Sequence, residues 1–413
     1  MHKLLGFFGD IHYTHKLLMS KLIYILKFIK EVKITLFSPK QKDLLVFDST
    51  SIEVLEKTFL SEFKYFVLED RHYLITKIYM SPKMLFNIIK NIKYGIKKAY
   101  KISIIKCVSP KIIITFIHNS ENFSFFAKLL SNKIYFLAIQ NGNSYHKIRE
   151  DEYRNLKRKY YIPHMLKLGY FDDESFDNSN WEIKKSDYVG SLRFDSFLHD
   201  VEKKKINLEK KYDLCILSDI GAWEINEDNI NNGFRDLTKY VLRYAKEKNL
   251  KLAVALKRRE AKSFNFPERA RQYIQGFKIE QAWYEQNFSK EELIFLKKNF
   301  VYNNSLSSYM CSIQSEITIG GISTILREIT AYNKKFLACN FTDNDAYNFP
   351  VNGICSLNHK CGYEEFSNRL DKIFKLSNSD FFKSLNLKKN YIIEFDEKNS
   401  TSAKIQNIIK EYL

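Results

Sequence analysis

Lys111–Gly142, KIIITFIHNSENFSFFAKLLSNKIYFLAIQNG, places two short apolar runs on either side of one helical pattern. KIIITFI and IYFLAI are continuous β-branched and aromatic runs, as expected of strands covered on both faces. Glu121–Leu130 between them repeats its apolar residues at helical spacing. A strand, a helix and a second strand in about thirty residues make a βαβ unit, the element of a parallel sheet. Each strand ends in polar residues: His118, Asn119 and Ser120 after the first, Gln140, Asn141 and Gly142 after the second. In open α/β sheets ligands bind at the C-terminal ends of strands. His118, Asn119, Gln140 and Asn141 are therefore candidate cleft or acceptor-site residues, and an ordinary turn role is the alternative for each.

The same alternation extends in both directions. Ile34–Phe37, Leu44–Phe47, Tyr65–Leu68 and Tyr73–Ile78 read as strands. Ser51–Leu60 reads as a helix capped by Ser49–Ser51, and Pro82–Cys107 as one long basic helix. Asp187–Gly190 reads as a short strand closing the first half. His199–Lys211 is charged and lacks periodicity, so a linker or solvated helix is expected there, at about 201–211. Alternation then restarts. Asp213–Leu217, Leu250–Leu256, Ile317–Ile319 and Lys335–Cys339 read as strands; Phe234–Lys248, Ser323–Tyr332, Tyr363–Phe374 and Thr401–Leu413 read as helices. The expected division is 1–200 and 212–413, each a Rossmann-like, doubly wound α/β domain.

The bulk numbers fit this. A chain of 413 residues with 45% hydrophobic content can build two cores. Net charge is +18 but is spread along the chain without a compact Arg block, so it gives nucleic-acid binding little support. Phosphorylated small molecules and anionic lipid headgroups are the other anions such a surface attracts. The six cysteines form no CxxC pair and no zinc spacing, and several lie in apolar runs, which suggests a reducing, cytoplasmic setting. Met1–Asp10 lacks a signal-peptide pattern, and no apolar run reaches the roughly 18 residues of a membrane span. Leu17–Lys33 is helical in period, apolar on one side and lysine-rich. It reads either as a helix on its own domain or as a peripheral contact with the inner membrane.

Ile319–Asn340, IGGISTILREITAYNKKFLACN, carries the most chemistry. Gly320 and Gly321 end a strand, and Ser323 and Thr324 open a helix. Backbone N–H groups at a helix start attract phosphate, and two hydroxyls add donors; on spacing alone an ordinary N-cap serves equally well. Gly–x–Ser–Thr followed by Glu328 and a buried strand resembles the donor-site segment of bacterial GT-B glycosyltransferases. IQNG (139–142), LVFDSTSIEVL (45–55) and YVGSLRFD (188–195) resemble the surface-carbohydrate group that includes retaining β-Kdo transferases and capsule transferases.

The resemblance implies a GT-B fold, two Rossmann-like domains facing across a cleft. It implies a transferase moving a sugar from a nucleotide-sugar donor, CMP-Kdo among the candidates, to a glycan or lipid-linked glycan acceptor of lipopolysaccharide O-antigen or capsule. It places Ser323, Thr324 and Gly321 on the donor phosphate and Glu328 on the nucleoside. In YDLCILSDIGAW (212–223), Ser218 and Asp219 follow a strand, and Asp219 resembles the nucleophile of the retaining enzymes; a turn residue is the alternative. Lys257 and Arg258 follow another strand, where they would neutralise the donor's phosphate and carboxylate; a solvated basic helix start is the alternative. Glu152, with Glu150 and Asp151, is the candidate acceptor base, with plain surface charge as the alternative, and Arg193 offers donors near the domain junction.

No GxGxxG, P-loop or GxSxG motif occurs, and the DxD spacing at Asp343 and Asp345 lies in a late polar loop. Neither a metal nor a bound cofactor is expected, with the nucleotide sugar as co-substrate. Two alternatives stay open. A teichoic-acid-type polyol-phosphate transferase would need a pair of histidines, for which His118 or His146 supplies one. A non-catalytic nucleic-acid-binding or scaffold protein would use the 26 Tyr and 33 Phe for stacking.

Overall fold

The computed structural model describes residues 32–71, 75–143, 160–177, 181–220, 228–259, 267–303, 307–342 and 344–413. The chain divides into two compact units. One comprises Met1–Ser49 with Lys64–Ile113, the other Thr50–Phe63 with Ile114–Leu413. Helix Leu192–Lys204 takes in the first part of the stretch expected as a linker, whose lysine-rich end keeps helical spacing against a buried Phe194–Phe197 face.

In the first unit, β1 (Lys33–Thr35) pairs in parallel with β4 (Lys77–Tyr79), and β2 (Leu44–Phe47) with β3 (Tyr65–Leu68). All four β2 residues are fully buried, as their unbroken apolar run demands. The expected single helix Pro82–Cys107 is two. Pro82–Asn91 starts at a Ser81 N-cap with proline in its first turn, passes into a 3₁₀ turn, and stops at Gly95; Ile96–Val108 follows. Gly95 has φ 85°, a left-handed conformation that breaks the α-helix and favours glycine.

The chain enters the second unit inside β5 (Ile112–Thr115). Helix Glu121–Leu130 is capped by Ser120, whose hydroxyl accepts from the Phe123 N–H at 3.2 Å. Next come β6 (Tyr135–Ile139), β7 (Tyr160–Lys167) and β8 (Trp181–Tyr188), paired in parallel in that order. The closing strand is thus far longer than Asp187–Gly190, and β7 was absent from the sequence reading. Pro163 and His164 interrupt the apolar run of β7, and polar residues fill β8, so neither shows a buried-strand pattern.

The second half follows with β9 (Tyr212–Leu217), β10 (Leu252–Arg259), β11 (Phe300–Asn303), β12 (Ser315–Gly320), β13 (Lys335–Cys339) and β14 (Ser356–Leu357). They form one parallel six-stranded sheet in the order β11-β10-β9-β12-β13-β14. The chain winds outward from β9 to β11, then returns to β12 on the other side of β9. That is the Rossmann winding, with its switch point between β9 and β12. Helix Asp228–Glu247 buries one apolar face that includes Phe234, Leu237, Val241 and Leu242. The core of this half joins those residues to Ile216, Val254, Ile319 and Phe336. The expected helix Ser323–Tyr332 is a four-residue α turn, Ile325–Glu328, continued by a 3₁₀ turn, Ile329–Tyr332. No helix among the described residues is long and apolar enough to cross a membrane.

Candidate functional site

The switch point is where the sequence-predicted residues meet. Asp219, just after β9, is 3% exposed. Its Oδ2 accepts from the backbone N–H groups of Gly321 at 2.9 Å and Ile322 at 3.1 Å. The glycine loop after β12 is therefore held by a carboxylate through the amides expected to cradle phosphate. A Cβ on Gly321 would lie 2.6 Å from that same oxygen, so any larger residue there must push the Asp219 carboxylate aside.

Ser323 and Thr324 follow. The Ile325 N–H donates to Ser323 Oγ at 3.4 Å, a loose turn closure, and Ser323 remains part-exposed. Thr324 Oγ1 accepts from the Asn143 N–H at 2.9 Å, and the Asn143 amide nitrogen donates to the Ile322 carbonyl at 3.4 Å. The loop after β6 is thereby stitched onto the loop after β12. Because the α turn behind Thr324 is one turn long, it supplies little of the dipole that a full helix would aim at an anion.

Lys257 and Arg258 lie inside β10 rather than after it, and they flank the same switch point. Lys257 Nζ donates to the Asp219 carbonyl at 3.1 Å. The backbone N–H groups of Lys257 and Arg258 donate to the two oxygens of Glu280 at 2.9 and 2.8 Å, and Ser218 Oγ donates to Glu280 at 2.5 Å. Glu280, on helix Pro267–Asn287, is fully buried. Burial pushes its pKa up, and the hydroxyl and amide donors oppose that only in part. Sequence reading missed this residue, because a glutamate in a charged helical stretch looks like solvent-facing surface.

Glu328 is also buried. Ser191 Oγ donates to Oε1 and Tyr309 OH donates to Oε2 at 2.8 Å. Burial raises its pKa despite these donors. Both oxygens of the expected nucleoside contact are thus engaged within the chain.

A separate buried network lies beside it. Arg327 grips Asp172 with two N–H groups at 3.0 and 2.7 Å, and also donates to the Ile392 carbonyl at 3.1 and 2.6 Å and to Asn143 Oδ1 at 3.2 Å. Burial alone would raise the Asp172 pKa, but the guanidinium outweighs it and holds the carboxyl below its ordinary value. Gln140 belongs to this network. Its Nε2 donates to Asp172 at 2.8 Å, and its Oε1 accepts from the Leu168 N–H at 3.1 Å. Arg193 donates to the Asn141 carbonyl at 3.4 Å and to Ser51 Oγ at 2.9 Å, and its guanidinium lies 5.1 Å from the Phe116 ring centre. Ser51 itself caps nothing, contrary to expectation; it has a left-handed backbone and makes no side-chain cap bond.

His118 packs among aromatic side chains. Its ring is buried against Phe176 and Trp181, with centroids 6.3 and 5.7 Å away, and Asn119 is part-buried in the adjoining turn. Glu150, Asp151, Glu152, His146 and Asp343 lie outside the described residues, as does nearly all of Leu17–Lys33.

No protein-family model matches the chain, and no curated protein matches its sequence. Solved structures match in shape. The S. aureus MnaA–UDP co-structure aligns at TM-score 0.51 and 12% identity, over 90% of this chain and 97% of that one. The wall teichoic acid polymerase TagF aligns at 0.47 and 10% identity, over 90% and 89%. UDP-GlcNAc 2-epimerase of Methanocaldococcus jannaschii, in complex with UDP-GlcNAc and UDP, aligns at 0.47 and 11% identity, over 89% and 99%. The first of these carries the fold comparison: with its parallel sheets and Rossmann winding, this chain has the GT-B α/β fold.

Proposed function

We propose that the chain is a nucleotide-sugar-dependent glycosyltransferase that elongates a bacterial surface glycan such as O-antigen or capsule. The observation that carries this is the meeting of Ser218, Asp219, the Gly320–Thr324 loop and Lys257 at the switch point of a Rossmann-wound sheet. The fold neighbour from S. aureus is a UDP co-structure, which supports a nucleoside diphosphate as the kind of ligand proposed here.

In this reading the donor's phosphates lie against the Ser323 hydroxyl and the Lys257–Arg258 pair, which supply donors and positive charge without a metal. Thr324 acts less as a phosphate ligand than as the post for Asn143. Glu328 shapes the nucleoside side through Ser191 and Tyr309. Asp219 is the proposed catalytic carboxylate, with loop-holding as the competing duty. His118 and Asn119 are left as acceptor-side candidates. CMP-Kdo as donor is the finest step of the proposal and rests on resemblance alone. The division into lobes 1–200 and 212–413, with a linker near 201–211, belongs to the same proposal.

A thermal-shift series with CMP, UDP, GDP, dTDP and CDP tests the reading. One nucleotide should raise Tm, since a ligand bound only by the native state stabilises it. Ser323→Ala should weaken that nucleotide about tenfold, the worth of one charge-assisted hydrogen bond. Asp219→Asn then separates the two duties. A catalytic carboxylate loses turnover by orders of magnitude while the nucleotide still binds; a loop holder loses affinity and Tm together. If none of the five nucleotides shifts Tm, the donor-site reading fails.

A further inference from the structure

We propose that the outward face of helix Pro82–Asn91, with the turn that follows it and the Leu36–Phe37 loop, is the surface by which the protein lies on an anionic lipid membrane. The helix buries Met84 and packs on helix Ile96–Val108, yet its other side is apolar and open. Phe86 is 67% exposed and Ile89 72%, with Leu85 beside them. Ile92 and Ile96 continue the stripe at 52% and 69%. Leu85, Phe86 and Ile89 lie three and four residues apart on the one helix Pro82–Asn91, so they form one face rather than scattered residues.

The Gly95 turn sets Ile92 and Ile96 at the corner between the two helices. Leu36 and Phe37, 72% and 81% exposed, follow β1. A hydrogen bond of 2.6 Å between the hydroxyls of Ser38 and Ser81 ties that loop to the start of the helix. Single exposed apolar side chains are ordinary, but a contiguous patch of large ones marks an interaction surface.

Charge decides which partner fits. From Pro82 to Val108 the chain carries seven lysines and no carboxylate. Lys83, Lys90, Lys93 and Lys97 are exposed and make no ion pair among the described residues. A protein partner would need an acidic rim around an apolar centre. Nucleic acid would use the lysines and leave the isoleucines in water. An anionic bilayer takes both, since apolar side chains enter the acyl boundary while lysine stems reach back to phosphate. The inference is independent of the transferase reading, because it concerns a different unit of the chain and is measured without turnover.

The test is co-sedimentation of the full chain with vesicles of phosphatidylcholine alone and of phosphatidylcholine with phosphatidylglycerol. Binding is expected to the anionic vesicles only, and should weaken as salt rises. Phe86→Ser with Ile89→Ser should lower the partition at least about tenfold, and Lys90→Glu with Lys93→Glu by a similar factor, with Tm unchanged in both. The proposal is overturned if the unmodified chain ignores anionic vesicles, or if both double variants still bind like it. It is overturned as well if the apolar pair lowers Tm by several degrees without changing the partition, which means the face is packed. Loss of self-association in sedimentation velocity with vesicle binding intact would assign the face to a second copy, and loss of RNA binding with vesicle binding intact would assign it to nucleic acid.

Discussion

Asp172 and Glu280 are both carboxylates sealed from water within the same unit, yet they sit in opposite electrostatic surroundings. Asp172 faces a guanidinium that binds it with two N–H groups. Glu280 faces one hydroxyl and two backbone amides, and the nearby Lys257 charge lowers its pKa less than burial raises it. Burial penalises both charges; only at Asp172 does a full positive charge outweigh that penalty. The seam that holds Gln140, Asn143 and Arg327 together is therefore a fixed-charge joint. The strand ends around Ser218 and Lys257 are organised by a carboxyl that takes a proton more readily than an ordinary glutamate.

Removing the cation breaks the contrast most severely. Arg327→Leu should destabilise the fold by about 3–5 kcal/mol, because Asp172 is left charged and buried without its partner. Thermal unfolding reads this directly. Arg327→Lys, which keeps the charge and loses the fork, should fall between the two. A Leu variant as stable as the parent would show that the joint carries no energy.

Next in size is Gly321→Ala. The new methyl must displace the Asp219 carboxylate, at a cost of about 1–3 kcal/mol in stability. Because the loop moves with it, nucleotide affinity measured by calorimetry should fall too. Unchanged affinity would separate the loop from the binding site.

Asn143→Ala should cost about 1 kcal/mol. It removes the bonds of the side chain to Arg327 and to the Ile322 carbonyl, while the backbone bond to Thr324 survives.

The smallest effect is one of pH. Asp172 contributes stability that is present above the unfolded carboxylate pKa and is lost as pH falls through its depressed folded value. Glu280 has the reverse sign: its contribution is present below the unfolded pKa and is lost as pH rises through its raised value. Glu280→Gln should flatten the decline of Tm with rising pH above the ordinary carboxylate range, leaving the acid limb unchanged. An unchanged slope on the upper side would show that Glu280 ionises normally.

Strands with unbroken apolar runs were legible in the sequence. Leu44–Phe47, Tyr65–Leu68 and Lys335–Cys339 fall where the apolar runs place them; Leu44–Phe47 is buried along its whole length, which leaves no room there for polar residues. β7 and β8 were not legible, since Pro163, His164 and a polar edge hide their period. At the site, Ser218, Asp219, Gly321 and Thr324 were found from their place at strand ends. Their partners were not found. Nothing local marks Asp172 as the mate of Arg327, Asn143 of Thr324, or Glu280 of Ser218, because each bond joins residues far apart in sequence. Glu328 was singled out as a nucleoside contact and Arg327 was not singled out at all; the fold buries both.

The Arg327–Asp172 pair also bears on how the chain is made. The two residues are 155 positions apart. At ribosomal rates of roughly 5–20 residues per second, Asp172 emerges about 10–30 s before its partner exists. Through that interval its carboxylate keeps its water, and the loop after β6 lacks the guanidinium that later closes over Gln140 and Asn143. Ile392, whose carbonyl shares the same guanidinium, arrives later still. The nascent first half thus lacks this partner until the second half has been made.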